Sequence, residues 1–127
     1  MMETIDKAKL CLKIILERKA EDPVLFEVGK LTSMTDYFLV VSGQSSRQVQ
    51  SLYQHLLKGM KKAGFKIRGV EGEQQGHWIL MDYGDVIVHI FYQPFRELYD
   101  LESLWIEAPR VSIEGCLLYT SDAADEL

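Results

Sequence analysis

Residues 79–91 read ILMDYGDVIVHIF, two runs of β-formers around a short polar break, with Asp82 and Asp85 three positions apart and His89 beyond them. Three readings fit this stretch: a catalytic carboxylate pair, a metal site, or a hairpin whose charges keep its tip in water. A hairpin with Tyr83 and Gly84 at its tip sets Asp82 opposite Asp85, Leu80 opposite Ile87 and Trp78 opposite His89. Side chains alternate along a strand. Ile79, Met81, Val86, Val88 and Ile90 therefore make one wholly apolar face, the natural core side. Trp78, Leu80, Asp82, Asp85, Ile87, His89 and Phe91 make the other. Large apolar groups rimmed by charge suit a protein-binding surface. The competing structural reading is that a second helix covers this face and His89 hydrogen-bonds inside.

Outward from the hairpin, residues 3–20 place Ile5, Ala8, Leu12, Ile15 and Leu16 at helical spacing, with Pro23 following. "VLFEVG" and "DYFLVVSG" read as strands. In "SGQSSRQVQSLYQHLLKGMKKAGF", Ser45 precedes Gln48 by three residues, a capping-box pattern. Val49, Leu52, Leu56, Met60 and Ala63 form an apolar stripe, and Gly64 is the expected stop. "KIRGVEG", "WILMD" and "DVIVHIFY" read as strands, and "PFRELYDLESLW" as one last helix opened by proline. The order α-β-β-α-β-β-β-α predicts an α/β protein of the α+β kind, a mixed sheet of about five strands with helices mainly on one face.

At 127 residues, 47% hydrophobic and 26% charged, the chain suits one globular core. A single domain is expected over residues 1–110, with residues 111–115 an extension that no pattern defines. No run approaches the roughly 18 apolar residues of a membrane span, and the N-terminus does not read as a signal peptide. A cytoplasmic protein is expected. Cys11 reads as a small buried hydrophobe, and Cys116 has no partner at metal-ligand spacing. The last residues, CLLYTSDAADEL from 116 to 127, show no periodicity. They match the in-frame translation of a transposase sequencing adapter from Cys116 through Asp125, so the tail is expected to be foreign and disordered. Setting it aside removes Asp122, Asp125 and Glu126 and takes the formal charge from −5 to −2. With no basic run longer than "KGMKK", strong direct nucleic-acid binding is not expected, and a protein partner is favoured.

As chemistry, opposed carboxylates on one face call for a shared proton or cation. No third carboxylate sits at ligand spacing, and aspartates suit a solvated turn. "SGQSSR", Ser42 to Arg47, offers free backbone N–H groups to a phosphate but lacks the lysine and spacing of a P-loop. His55, His77 and His89 show no repeated ligand spacing. No serine sits in a nucleophile elbow. No catalytic residue, metal or cofactor is expected.

"DYFLVVSGQSSRQVQSL", "GVEGE", "HWILMDYGDVIVHIF" and "RELYDLESLW", in that order and spacing, resemble the RsfS ribosomal silencing factors, the Iojap-like family of bacteria and organelles. The resemblance spans roughly residues 3–109. It implies a nucleotidyltransferase-like core without catalysis. It also implies a factor that binds the large ribosomal subunit through large-subunit ribosomal protein fourteen, blocks joining with the small subunit, and represses translation under nutrient limitation. Carried over by motif, Trp78, Leu80, Asp82, Tyr83 and Gly84 fall in or near the contact, Trp78 as aromatic anchor, with His89 flanking. Arg96, Tyr99 and Trp105 either extend the patch or pack the last helix onto the sheet, while Leu98, Leu101 and Leu104 are expected in the core. A homodimer is implied for the free protein. Two alternatives compete. One is a nucleotidyltransferase using Ser42 to Ser46 for phosphate and Asp82 with Asp85 for magnesium; the other is a general RNA-binding module.

Overall fold

The computed structural model describes residues 3–113. The expected foreign tail, residues 116–127, lies outside the described residues. Helix α1 (Thr4–Leu16) buries Ala8, Cys11, Leu12, Ile14 and Ile15. Strands β1 (Glu21–Glu27) and β2 (Tyr37–Gly43) follow, then helix α2 (Ser46–Lys62). The Ser45 hydroxyl caps α2 by accepting from the Gln48 N–H at 3.0 Å, and the Gln48 side chain reaches back one residue further than expected, to the Gln44 N–H. At the far end Gly64 takes a φ of +96°, letting Phe65 N–H donate to the Met60 carbonyl (2.8 Å) and Gly64 N–H to Lys61 (3.0 Å). That is a Schellman closure, whose left-handed residue is most readily a glycine.

Strands β3 (Gly69–Glu71), β4 (Trp78–Asp82) and β5 (Val86–Tyr92) lead into short helices α3 (Gln93–Tyr99) and α4 (Leu101–Leu104), and β6 (Arg110–Val111) ends the described chain. One mixed sheet has the order β3-β4-β5-β2-β1-β6. Among the described residues only the central β2–β5 pair is parallel, and α2 lies on the long crossover that a parallel pair requires. The expected α+β class and mixed sheet are observed, with six strands rather than about five. The added β6 is two residues long and pairs with Leu25 and Phe26 of β1.

The sheet separates two cores. On one face Leu25, Leu39, Val41, Ile79, Met81, Val86, Val88 and Ile90 pack against α1 and α2. This confirms the apolar face read from the hairpin. Each fully buried Leu52, Leu56 or Met60 of α2 contributes on the order of 1.5–3 kcal/mol there. On the opposite face Phe26, Val28, Phe38, Val40, Ile87 and Phe91 meet Leu101 and Ala108, with Phe95, Trp78, Leu80 and Trp105 at the margin. The two long helices thus lie on one face as expected, while α3 and α4 close much of the other. The segment read as one helix is broken at Asp100, whose φ of +47° is left-handed and ends α3. No helix among the described residues is long and apolar enough to cross a membrane.

Candidate functional site

The β4–β5 hairpin turns one residue later than the sequence suggested. Tyr83 N–H donates to the Val86 carbonyl at 2.9 Å, and Gly84 (φ +92°) with Asp85 makes the two-residue tip. Positive φ at the first tip residue is what a tight hairpin turn asks of glycine. Each partner therefore moves by two: Trp78 faces Phe91, Leu80 faces His89 and Asp82 faces Ile87. A shift of two preserves the faces, since only an odd slip exchanges them. Asp82 and Asp85 are not opposed.

The two aspartates have separate local partners. Asp82 Oδ1 accepts from the Gly84 N–H at 2.7 Å and braces the turn. Asp85 accepts from Lys7 Nζ at 2.7 Å and Thr4 Oγ1 at 3.1 Å, which ties the tip to α1. Burial alone would raise the Asp85 carboxyl, but the Lys7 and Thr4 hydrogen bonds and the Lys7 charge outweigh it and hold the group below its ordinary value. Carboxylates pulled toward different partners are a poor magnesium pair. The phosphate reading of Ser42 to Ser46 meets a similar obstacle. Ser42 is buried with its Oγ accepting from Arg96 Nη1 (2.7 Å), Ser45 caps α2, and the Gln44 N–H is taken by Gln48.

On the second face Trp78 lies half-buried between Phe91, with ring centroids 4.9 Å apart at 25°, and Tyr99, 4.9 Å apart at 45°. Its Nε1–H donates to Nδ1 of His89 at 3.1 Å. Because an indole N–H only donates, His89 Nδ1 must accept and the ring proton resides on Nε2. His89 is 3% exposed and packs edge-on to Phe38 (4.9 Å), and burial pushes its imidazole down to about 4. Its Nε2 is buried without a hydrogen-bond partner among the described residues. The covered-face alternative thus describes His89, which stands behind Trp78 rather than beside it on the surface.

Two more expected contacts lie inside. Tyr83 belongs to the core against α1 and α2, where burial raises its phenol, because the later turn keeps position 83 in the strand alternation. Arg96 is buried as well. Its guanidinium joins Glu102 (Nε to Oε1, 2.9 Å; Nη2 to Oε2, 3.3 Å) to Ser42, fixing α3 and α4 against the end of β2. Trp105 is half-buried, edge-on to Phe38 at 5.1 Å, and serves the packing role left open for it.

Leu80, Asp82 and Gly84 remain partly accessible, and Tyr99 is 52% exposed. The expectation for two leucines is overturned: Leu101 is buried, but Leu98 is 71% and Leu104 74% exposed, and Ile106 beside them is 76% exposed. The Asp100 break changes the helical phase, so one stripe cannot hold all three leucines. In the sequence these apolar residues are interleaved with Glu97, Asp100, Glu102 and Glu107, of which Glu102 is paired with Arg96. A signal existed in the sequence: apolar positions 95, 98, 99, 101, 104, 105 and 106 are too many for one buried face of a short helix.

A family model described as "Ribosomal silencing factor during starvation" matches residues 1–126. The chain is 35% identical to a ribosomal silencing factor RsfS from Halalkalibacterium halodurans, across 91% of this chain and 99% of that one. It is 40% identical to an RsfS from Haemophilus influenzae, across 83% and 93%. A crystal structure of a protein from Chromobacterium violaceum, 38% identical, superposes with a TM-score of 0.80 over 82% of this chain and 87% of that one.

Proposed function

The chain belongs to the RsfS family of ribosomal silencing factors, and from that premise we propose that it binds the large ribosomal subunit through large-subunit ribosomal protein fourteen. Occupying that site sterically blocks joining with the small subunit and so represses translation, above all when nutrients are short. The reading involves no catalysis and places the protein in the cytoplasm.

The observation that carries the reading is the surface built by β4, α3 and α4. Half-buried Trp78 packs against exposed Tyr99 with the rings tilted by 45°, and exposed Leu98, Leu104 and Ile106 belong to the same C-terminal segment, interleaved in sequence with Glu97, Asp100 and Glu107. Aromatic anchors beside exposed aliphatics give a protein interface its energetic centre, and an acidic rim complements a basic ribosomal protein. In this reading Trp78, Leu80, Asp82, Gly84 and Tyr99 meet the partner. Arg96, His89 and Trp105 support them from within. The same apolar residues give the free protein reason to form a homodimer, because isolated chains seldom leave several large apolar side chains together in water.

Sedimentation of the full chain with isolated large subunits tests the proposal. Co-sedimentation together with fewer joined ribosomes on addition of small subunits is the expected result. A folded chain that neither sediments with large subunits nor reduces joining overturns it.

A further inference from the structure

The charge of this acidic protein is unevenly placed. From Tyr37 to Val70, 34 residues contain no Asp or Glu but carry Arg47, Lys58, Lys61, Lys62, Lys66 and Arg68. The structure gathers five of these at one end. Lys58, Lys61 and Lys62 project from the solvent side of α2, opposite the buried Val49, Leu52, Leu56 and Met60. The Schellman closure folds the chain back over the helix end and brings Lys66 and Arg68 onto the continuing turn. Arg68 runs along the hairpin tip: its Nη1 would lie 3.3 Å from a Cβ placed on Gly84. All five are exposed, and none forms an ion pair among the described residues.

We propose that this end of α2 and the turn to β3 form a second docking surface, for the phosphate backbone of RNA. The run "KGMKK" alone did not suggest strong nucleic-acid binding; the folded turn adds two cations to it. Lysines at a helix C-terminus also complement the helix dipole, which accounts for Lys61 and Lys62. It does not account for Lys58, Lys66 and Arg68. An acidic protein partner would want apolar anchors as well as charge. Among the described residues, none of the large exposed apolar side chains falls within residues 58–68: Leu31 and Met34 belong to the β1–β2 loop, which meets the hairpin tip through Asp36 and Asp85, and Leu98, Tyr99, Leu104 and Ile106 follow β5. A surface of exposed cations without anchors suits phosphate, which needs charge and little shape.

The location deepens the ribosomal reading, on which it rests for the source of the RNA. Arg68 meets β4 at Asp82, where its N–H donates to the Asp82 carbonyl at 2.7 Å. Trp78 begins the same strand, roughly 13 Å away at about 3.3 Å per residue. A ribosomal protein seated on Trp78 therefore leaves the basic end free to reach neighbouring RNA.

Fluorescence anisotropy of a labelled RNA hairpin with the full chain is the test. With about four phosphate contacts, affinity falls on the order of a hundredfold between about 50 and about 200 mM salt. The triple variant Lys61→Glu, Lys62→Glu, Lys66→Glu is expected to lose at least tenfold in affinity (order of magnitude) and to flatten that slope, with the glutamine series intermediate. Equal hairpin affinity in the triple variant overturns the inference, as does competition by polyglutamate as effective as by RNA. Large-subunit sedimentation separates the two readings. A chain that sediments with subunits but does not bind the hairpin sinks this inference alone. One that binds the hairpin through these lysines but ignores subunits supports the basic surface and sinks the ribosomal reading.

Discussion

The Trp78 indole N–H donates to Nδ1 of His89 at 3.1 Å, so a buried imidazole on β5 orients the aromatic ring that β4 presents toward solvent. The bond holds only while His89 is neutral, because a protonated ring has no acceptor to offer.

Stability should therefore fall on mild acidification. His89 titrates near 4 in the folded chain and near its ordinary 6.5 when unfolded. The unfolded state takes the proton first, so the contribution is whole above about pH 6.5 and is lost as pH falls toward about 4, at most about 3 kcal/mol. Urea midpoints at about pH 7.5 and about pH 4.5 measure it. Carboxylates contribute in the same window, and His89→Phe isolates the histidine part. If that variant shows the same drop as the unaltered chain, the imidazole is not responsible.

Asp82 and Asp85 should separate under substitution. Asp82→Asn keeps the Oδ1 acceptor for Gly84 N–H, so stability should change by less than about 0.5 kcal/mol. Any loss of subunit binding then reports the charge. Asp85→Asn weakens the Lys7 pair, and with the Asp85 side chain 34% exposed the cost should be about 1 kcal/mol or less. The Asp85 contribution exists above the ordinary carboxylate pKa and disappears as pH falls through the lowered folded value. Denaturation curves of both variants at neutral and acid pH check the contrast.

Gly72→Ala should be among the most damaging single-methyl additions in the chain. Gly72 takes a φ of +81°, and an added Cβ would collide with the Trp78 backbone carbonyl. Backbone cannot yield as a side chain can, so a loss above about 2 kcal/mol is expected from strain and overlap together. Gly64→Ala meets open space and bears only the φ penalty. Comparable thermal midpoints for the two would contradict the steric account.

Arg96 should behave as a structural tie. Arg96→Met leaves Glu102 and Ser42 without their donor, at a cost on the order of 2–4 kcal/mol, eased by the partial exposure of Glu102. Lysine should not rescue it, since one ammonium cannot reproduce a fork that reaches a carboxylate and a hydroxyl together. Chemical denaturation of both variants decides, and near-native stability of Arg96→Lys would argue against the fork.

What the sequence made legible follows the range of the interactions involved. The Ser45 cap of α2, its glycine stop and the two hairpin faces depend on neighbours a few residues apart, and the structure shows each of them, with the reciprocal Gln48 contact displaced by one residue to Gln44. The hairpin register was displaced by two because Tyr83 and Gly84 are as plausible a tip as Gly84 and Asp85, while face assignment survives any even shift. Arg96 with Ser42 spans 54 positions, and no local pattern reports such a contact. The sequence already places Trp78 and His89 on one face; the observed register makes them diagonal neighbours rather than an opposed pair, and the indole still reaches Nδ1. The break at Asp100 was hidden because left-handed aspartate is uncommon, and it carried with it the misplacement of Leu98 and Leu104.

That misplacement supplies a clean separation of fold from contact. Leu101 is the buried residue of α4, packed into the second core, so Leu101→Ala should destabilise by about 2–4 kcal/mol and depress every activity in step with folding. Leu104, three residues on, is 74% exposed, so Leu104→Arg should leave the denaturation midpoint within about 0.5 kcal/mol of the unaltered chain. If this surface meets a basic partner, the arginine replaces an apolar contact with a like charge, and subunit binding should weaken by roughly tenfold or more. Sedimentation with large subunits reads the affinity and urea unfolding reads the fold. A stable Leu104→Arg chain with unchanged subunit binding would remove α4 from the proposed contact and confine it to the Trp78 and Tyr99 side.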